Sequence, residues 1–185
     1  YPHDFHMDPL RYALGMAAAF SKKGGRIFES SAMLGMTEDS AKKTIRTEKG
    51  SVHADHVVYC GSAYEKNLDT RLSRATLKIA TYVMVTQPMA QETLGSAIRV
   101  PYAICDTRFA GDYYRPLADG RLLWGGRVAW SKTPARLESA LYGDMLKIYP
   151  QLAGTRADYA WSGLMGYSAH KMPLIGQFSP GLWYC

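Results

Sequence analysis

The sequence lacks most of the features that announce a chemistry. Three cysteines, Cys60, Cys105 and Cys185, are scattered through 185 residues with no CxxC pair. An odd, dispersed set gives neither a disulfide framework nor a zinc spacing, and points to a reducing compartment, the cytoplasm. No apolar run approaches the roughly 20 residues of a membrane helix, so no membrane span is expected. Neither GxGxxG nor GxxxxGK[ST] occurs, so the chain carries no nucleotide fingerprint of its own. HExxH and GxSxG are missing too, and His3, His6, His53, His56 and His170 have no paired metal-ligand spacing. No run of five basic residues marks a nucleic-acid stripe. The chain opens on Tyr1 without a signal-peptide pattern and stops at Cys185 inside a strand pattern, so a piece of a longer protein is expected.

What is present supports a packed core. Hydrophobic residues make up 47%, aromatics 12% and charged residues 21%, against disorder or a coiled coil. The length suits one domain, or one and a part. Lys and Arg number 22 against 16 Asp and Glu, a net +6. These cations are dispersed as a solvated surface, and their excess suits an anionic cofactor or a carboxylate substrate.

Asp8-Pro9 predicts a helix start, with Asp8 as N-cap and Pro9 in the first turn. Leu10, Ala13, Leu14, Ala17 and Ala18 form its apolar stripe, and Lys22, Lys23, Gly24 and Gly25 close it. Its small residues predict close packing on a sheet. A strand is expected over Arg26–Glu29, then a hairpin of 43–48 and 52–54 turning at Glu48–Ser51, then a strand over 55–60 ending at Gly61-Ser62-Ala63-Tyr64. Ile79–Thr86, 103–106, 112–115 and 121–124 read as strands, with Asp119-Gly120 as a turn. A second helix is expected over about 134–152, capped by Thr133 and striped by Leu137, Leu141, Met145, Ile148 and Leu152. Strands over 159–166, 174–176 and 182–185 close the chain. Cys60 and Cys105, within strand patterns, are expected to be buried thiols. Tyr82 and Trp124 are expected core aromatics.

Four phrases carry a resemblance: "HMDPLRYALGMAAAFSKKGGRIFESS", "ADHVVYCGSAY", "YYRPLADGRLLWGGR" and "WSGLMGYSAHKMPLIGQFSPGLWYC". In this order they resemble the middle and later part of the D-amino-acid-oxidase-like FAD-dependent oxidoreductases. Glycine oxidase, monomeric sarcosine oxidase and the γ-glutamylputrescine oxidase type belong to that group, the last being nearest in texture. The resemblance implies an α+β fold, a fragment of an α/β flavoprotein. A mixed or antiparallel substrate-domain sheet with two helices would accompany part of a Rossmann-like FAD-binding domain. The implied division is 1–76 in the FAD-binding domain, 77–160 in the substrate domain and 161–185 returning to the FAD-binding domain.

The resemblance also implies roles. The backbone at Ser31-Ala32-Met33 would meet the adenine of FAD, so Met33 is a cofactor-binding candidate. Gly61, Ser62 and Ala63 match a turn beside the FAD, where small residues permit close approach; a plain tight turn is the alternative. Tyr114, Arg115 and Arg127 fall on two facing strands that would roof the flavin, where a guanidinium fork and a phenol suit a carboxylate substrate. For both arginines an ion pair with Asp106, Asp112 or Asp119 is the other reading. His170–Gly176 resembles a "D-x-x-P-x-I-G" stretch with His170 in place of Asp. The sarcosine oxidases that the chain resembles attach their flavin through a Cys before this stretch, whereas Trp161–Tyr167 contains none, so the resemblance implies noncovalent FAD, and only in the full-length protein.

The implied activity is oxidation of the C–N bond of an amine or amino acid by hydride transfer to flavin. O2 or another acceptor would take the electrons, and the fragment alone would be inactive. The partners implied are small molecules, with no nucleic acid. A non-catalytic carboxylate- or anion-binding module built on Arg115 and Arg127 is the alternative.

Overall fold

The computed structural model describes residues 5–39, 42–64, 70–129 and 136–185. In chain order the elements begin with α1 (Pro9–Lys22), β1 (Gly35–Asp39), β2 (Lys42–Arg46), β3 (Ser51–Ala54), β4 (Val57–Tyr59), a 3-10 turn (Ser62–Tyr64) and α2 (Thr70–Ala75). Next come β5 (Thr76–Thr86), α3 (Gln91–Ala97), β6 (Ile104–Cys105), β7 (Tyr113–Pro116) and β8 (Leu122–Ala129). The chain ends with α4 (Leu137–Ile148), a 3-10 turn (Pro150–Leu152), β9 (Ala157–Ser168), β10 (Gly176–Ser179) and β11 (Leu182–Tyr184). The fold class is α+β. Two compact units divide it. The first holds the described residues within Tyr1–Gly61 and Glu65–Arg71 together with Met172–Cys185; the second holds Ser62–Tyr64 and Leu72–Lys171.

In the first unit, α1 starts where Asp8 predicts: its carboxylate accepts the Leu10 and Arg11 N–H groups at 3.0 and 3.1 Å. The expected packing of its stripe is not observed, for no α1 residue is buried, and Leu10 and Leu14 stay exposed among the described residues. The strand expected over Arg26–Glu29 does not form either. No described strand pairs with it, and extended backbone without a partner has no ladder to stabilise it. The hairpin forms as β2 and β3, closed by Thr47, which donates from both N–H and Oγ1 to the Gly50 carbonyl. β1, not anticipated, completes an antiparallel sheet on β2. A second sheet, β10-β11-β4, places β11 parallel to β4 and antiparallel to β10. Lys43 of β2 is 2% exposed and donates to the Pro180 carbonyl at 2.8 Å, with Glu38 at 3.3 Å. Next to it Gly181 turns at φ +75°, where a Cβ would lie 2.5 Å from the Asp55 carbonyl oxygen.

The second unit is one antiparallel sheet, ordered β6-β7-β8-β5-β9, with helices on one face. β5 is central because it pairs along its length with β9, from Thr76↔Ser168 to Thr86↔Ala157, and with β8 on the other side. Strand alternation sends Ala80, Tyr82 and Met84 to the core, where Leu122 and Trp124 join them. Leu94 and Ile98 at α3, Leu141 and Met145 of α4, and Leu152 cover that face. Each such buried side chain contributes about 1.5–3 kcal/mol of apolar burial. Tyr82 and Trp124 are core aromatics, as expected.

Several expectations differ from the structure. The second helix runs over Leu137–Ile148 and then tightens, because Pro150 cannot donate to the helix ladder and disfavours a helical Tyr149. Ile148 of the expected stripe is exposed. The expected cap Thr133 lies outside the described residues, and Arg136, at φ +68°, precedes the first helical residue instead. α2 and α3 were not expected; six and seven residues are too short to display a helical period. Residues 161–168 belong to β9 and pair with β5, so it is at Met172 that the chain rejoins the first unit. Cys60 and Cys105 are exposed, as is Cys185. Cys60 follows the end of β4, and Cys105 sits on β6, an edge strand.

Candidate functional site

The face of the second unit's sheet opposite α4 carries an apolar and aromatic lining, with Thr81 and Arg115 as its polar members. The register sets Cys105, Tyr113, Gly125, Val83 and Trp161 in one row across the five strands. Arg115, Leu123, Val85 and Tyr159 form the next row toward one end. Toward the other end stand Val128, Thr81 and Gly163, then Ile79 with Met165, then Leu77 with Tyr167. Trp161 and Tyr159 are 47% and 60% exposed.

The Gly125-Gly126 pair clears both faces. The ring of Tyr113 lies over Gly125 on the open face, where a Cβ would stand 2.1 Å from Cζ. On the helix face, Asp112 occupies the space above Gly126, where a Cβ would meet Oδ1 at 2.2 Å. Asp112 is 4% exposed and pairs with Arg108 at 2.7 Å. Arg108 also pairs with Asp106, whose carboxylate accepts the N–H groups of Arg108 and Asp112. The Arg108 hydrogen bond foremost, then that of the Asp112 backbone, brings the Asp106 carboxyl down to about 2.

Arg127 occupies a β-bulge. Thr81 pairs with Val128 and Tyr82 with Gly126, leaving Arg127 as the additional residue at φ +59°. Its guanidinium holds Asp144 of α4 through Nε to Oδ2 at 2.5 Å and Nη2 to Oδ1 at 3.0 Å. Lys147 adds a third contact, to Oδ1 at 2.8 Å. The hydrogen bond from Arg127 foremost, with that from Lys147, holds the Asp144 carboxyl below its usual range against burial, which acts the other way.

The expected site residues therefore fall in different places. Tyr114 is 7% exposed on the helix face, stacked on Trp124 at 4.2 Å and 1° between planes. Burial foremost pushes its phenol above the ordinary tyrosine range, helped by the Tyr149 hydroxyl 3.4 Å away. Arg115, one residue on, is half-buried and faces the open side. Arg127 is committed to α4. The acids considered as partners of the two arginines are engaged otherwise: Asp106 and Asp112 with Arg108, and Asp119 with Arg121, which also holds Asp158 at 2.7 Å. Met33 is half-buried just before β1, and Gly61 is exposed, both in the first unit.

Ser62 and Ala63 open the 3-10 turn of the second unit, Ser62 at φ +47° and Ala63 1% exposed. A Cβ at Gly166 of β9 would sit 3.2 Å from Ser62 Oγ, and Tyr64 Oη accepts the Leu164 N–H at 2.8 Å. The turn thus packs on β9. Tyr113, Tyr159 and Trp161 are the open-face residues that sequence reading missed. For Tyr159 and Trp161 the signal was present as a period of two in β9, where Tyr159, Trp161, Gly163, Met165 and Tyr167 alternate with the helix-facing set.

A planar ring system needs an apolar surface without side-chain obstruction, and this face meets that need. Among the described residues a Cβ built on Gly163 would touch only Tyr64 Oη, at 3.6 Å. The exposed Trp161 and Tyr159 rings and the Tyr113 ring provide the apolar area. Among the described residues no group of His, Cys, Asp and Glu could hold a metal, and no helix is long and apolar enough to cross a membrane.

The family model DAO, "FAD dependent oxidoreductase", matches residues 1–185. The chain is 33% identical over 181 residues to gamma-glutamylputrescine oxidoreductase of Escherichia coli (strain K12), covering 97% of this chain and 42% of that protein. It is 30% identical over 183 residues to the probable oxidoreductase OrdL of Haemophilus influenzae, with 97% and 42% covered. Glycine oxidase from Geobacillus kaustophilus superposes with a TM-score of 0.75 at 18% identity, over 93% of this chain and 46% of that one. L-proline dehydrogenase from P. horikoshii gives 0.78 at 16% identity, over 96% and 49%. The two structural likenesses are of fold. The chain spans less than half the length of the curated relatives it matches.

Proposed function

The chain belongs to the DAO family of FAD-dependent oxidoreductases, and from that premise we propose that the full-length protein oxidises the C–N bond of an amine or amino acid, with this chain supplying the substrate-domain sheet. Bound FAD supplies the two-electron acceptor for the hydride leaving the substrate carbon. The chain's own residues bind and orient. The open face presents Tyr113, Trp161 and Tyr159 as walls that exclude water from whatever lies against them. Arg115 is the expected substrate residue that stands on this face, where a guanidinium can align a carboxylate. Tyr114 and Arg127 act from the other side, by packing and by fixing the bulge. Ser62 and Ala63 are assigned a role in offering backbone to the cofactor; Met33 and Gly61, in the first unit, are each assigned that role separately. Attachment is noncovalent, since the exposed thiols Cys60, Cys105 and Cys185 all lie outside Trp161–Tyr167.

One observation carries the reading: a helix-backed antiparallel sheet whose other face is aromatic and cleared by Gly163. An anion-binding module on Arg115 and Arg127 is disfavoured by the ion pair that engages Arg127 with Asp144. The test is the absorbance spectrum of the full-length protein before and after acid precipitation, followed by anaerobic addition of amines and amino acids. Flavin bands that pass into the acid supernatant, and bleach with an amine, are expected. A colourless protein that takes up no added FAD overturns the reading.

A further inference from the structure

In the second sheet of the first unit, β11 runs parallel to β4, with Leu182, Trp183 and Tyr184 opposite Val57, Val58 and Tyr59. The Cys185 N–H donates to the Tyr59 carbonyl at 2.9 Å, so the ladder continues one step further and sets Cys185 opposite Cys60. Strand alternation fixes the side on which the two thiols stand. Val57 and Leu182 are buried on one face of the strand pair, whereas Val58 and Trp183 are exposed on the other. Cys60 and Cys185 follow Val58 and Trp183 by two residues each, on that exposed face, and both are exposed.

The spacing suits a covalent link. Neighbouring strands lie about 4.8 Å apart, within the roughly 4.4–6.8 Å that separates the Cα atoms of a disulfide. Its Cβ atoms must come to about 3.8 Å, which asks for a small inward tilt. Both cysteines stand just past the ends of β4 and β11, where fewer ladder bonds resist that tilt. Cys105 gives the contrast: it is exposed too, but its ladder partner on β7 is Tyr113. The two facing cysteines are far apart in the chain, so no spacing motif marks them.

We propose that Cys60 and Cys185 form a redox-responsive dithiol, which hydrogen peroxide converts reversibly to a disulfide joining β4 to β11. One thiolate attacks a peroxide oxygen: an S–O bond forms, the O–O bond breaks and hydroxide leaves. The facing thiolate then attacks the sulfenic sulfur: the S–S bond forms, the S–O bond breaks and a second hydroxide leaves. The two thiol protons turn both hydroxides into water, and the two electrons lost by the sulfurs are those gained by the peroxide. A dithiol reductant reverses the link by exchange. The pair does not rest on the amine or amino-acid oxidation proposed above.

The experiment uses the reduced full-length protein, given hydrogen peroxide at mildly alkaline pH, with the dose raised until the sulfenic-acid trap dimedone labels Cys105. Free thiols are then alkylated and the peptides mapped by mass spectrometry without reduction. In a sample without dimedone, the Cys60 and Cys185 peptides are expected to be joined within a single molecule and to separate in dithiothreitol, with the Cys105 peptide left unlinked. In Cys60→Ser and Cys185→Ser the joined peptide disappears and dimedone labels the remaining thiol of the pair. Both substitutions are at exposed side chains and are expected to leave the melting temperature unchanged, which separates loss of the link from loss of the fold. The joined fraction is expected to fall about tenfold in urea, where the strands no longer bring the thiols together. Cys60 and Cys185 that stay unlinked at the dose that labels Cys105 overturn the proposal. So does joining of either to Cys105 or to a second molecule, or an equal joined fraction in urea.

Discussion

Arg127 of β8 grips Asp144 of α4 with two hydrogen bonds while its own backbone sits at φ +59° in the bulge. The two facts are linked. A left-handed conformation costs a non-glycine residue about 1 kcal/mol or more, and the ion pair to the covering helix offsets that cost. With the arginine side chain 48% exposed, the pair contributes about 1 kcal/mol, less than a fully buried one would.

Substitution at the two ends is therefore unequal. Arg127→Gly loses the pair but also the backbone cost, and is expected to change the melting temperature little. Asp144→Ala loses the pair and keeps the cost, and is expected to lower it by several degrees. Thermal denaturation of both full-length variants checks this; an Arg127→Gly protein melting below Asp144→Ala contradicts it.

Two carboxyls bind their protons more weakly in the fold than in the unfolded chain. Asp106 is held at about 2 and Asp144 below its usual range, each mainly by an arginine hydrogen bond. A depressed acid stabilises the fold above the unfolded value of about 4, and that contribution falls away as pH drops toward the folded value. Stability is thus expected to decline between pH 4 and about 2, and an Asp106→Asn protein should show a shallower decline over that window. A wild-type acid-unfolding curve with the same slope as the variant's would contradict the assignment.

Gly125 is occupied by Tyr113 and Gly163 is open. A methyl at Gly125 would overlap the Tyr113 ring, with Cζ at 2.1 Å, whereas one at Gly163 meets an ordinary 3.6 Å contact. Gly125→Ala is expected to cost about 1–3 kcal/mol, as overpacking does. Adding Tyr113→Ala removes the obstructing ring, so the double variant should be less destabilised than the sum of the singles. Gly163→Ala should fold normally yet shift the flavin absorbance of the full-length protein, since its methyl enters the open face.

Tyr114 is a packing residue whose hydroxyl has one long partner, Tyr149 at 3.4 Å. Tyr114→Phe keeps the stack on Trp124 and is expected to cost under about 1 kcal/mol, with KM unchanged. Tyr114→Ala opens the core and is expected to cost about 3–5 kcal/mol. A KM that rises in the Phe variant while the melting temperature holds would place the phenol at the substrate after all.

Much of the fold was legible because its signals are local. Asp8-Pro9 marks a helix start by satisfying free N–H groups at once, and Glu48–Ser51 turns a hairpin between strands of matched register. The β-rich run at 79–86 is the central strand, since residues flanked on both faces by apolar neighbours read as strand wherever they pair. The exposed stripe of α1 and the unpaired segment over Arg26–Glu29 were not legible. Both depend on what lies beside them, which no local pattern specifies.

The sequence by itself determined the longer elements α1, β5 and α4, the hairpin, the family and the apolar character of the sheet, because periodicity, capping and phrase order are properties of neighbouring residues. Only the tertiary structure decided which side chains share a face. Without the bulge, Arg127 would stand opposite Thr81 on the open face, beside the position expected of a substrate residue; the inserted residue gives that place to Val128 and sends Arg127 to Asp144. A strand alternates with a period of two, so one additional residue reverses every assignment beyond it. The partner that fixed the outcome lies on a helix 17 residues further along, where nothing in the strand's own sequence can point to it.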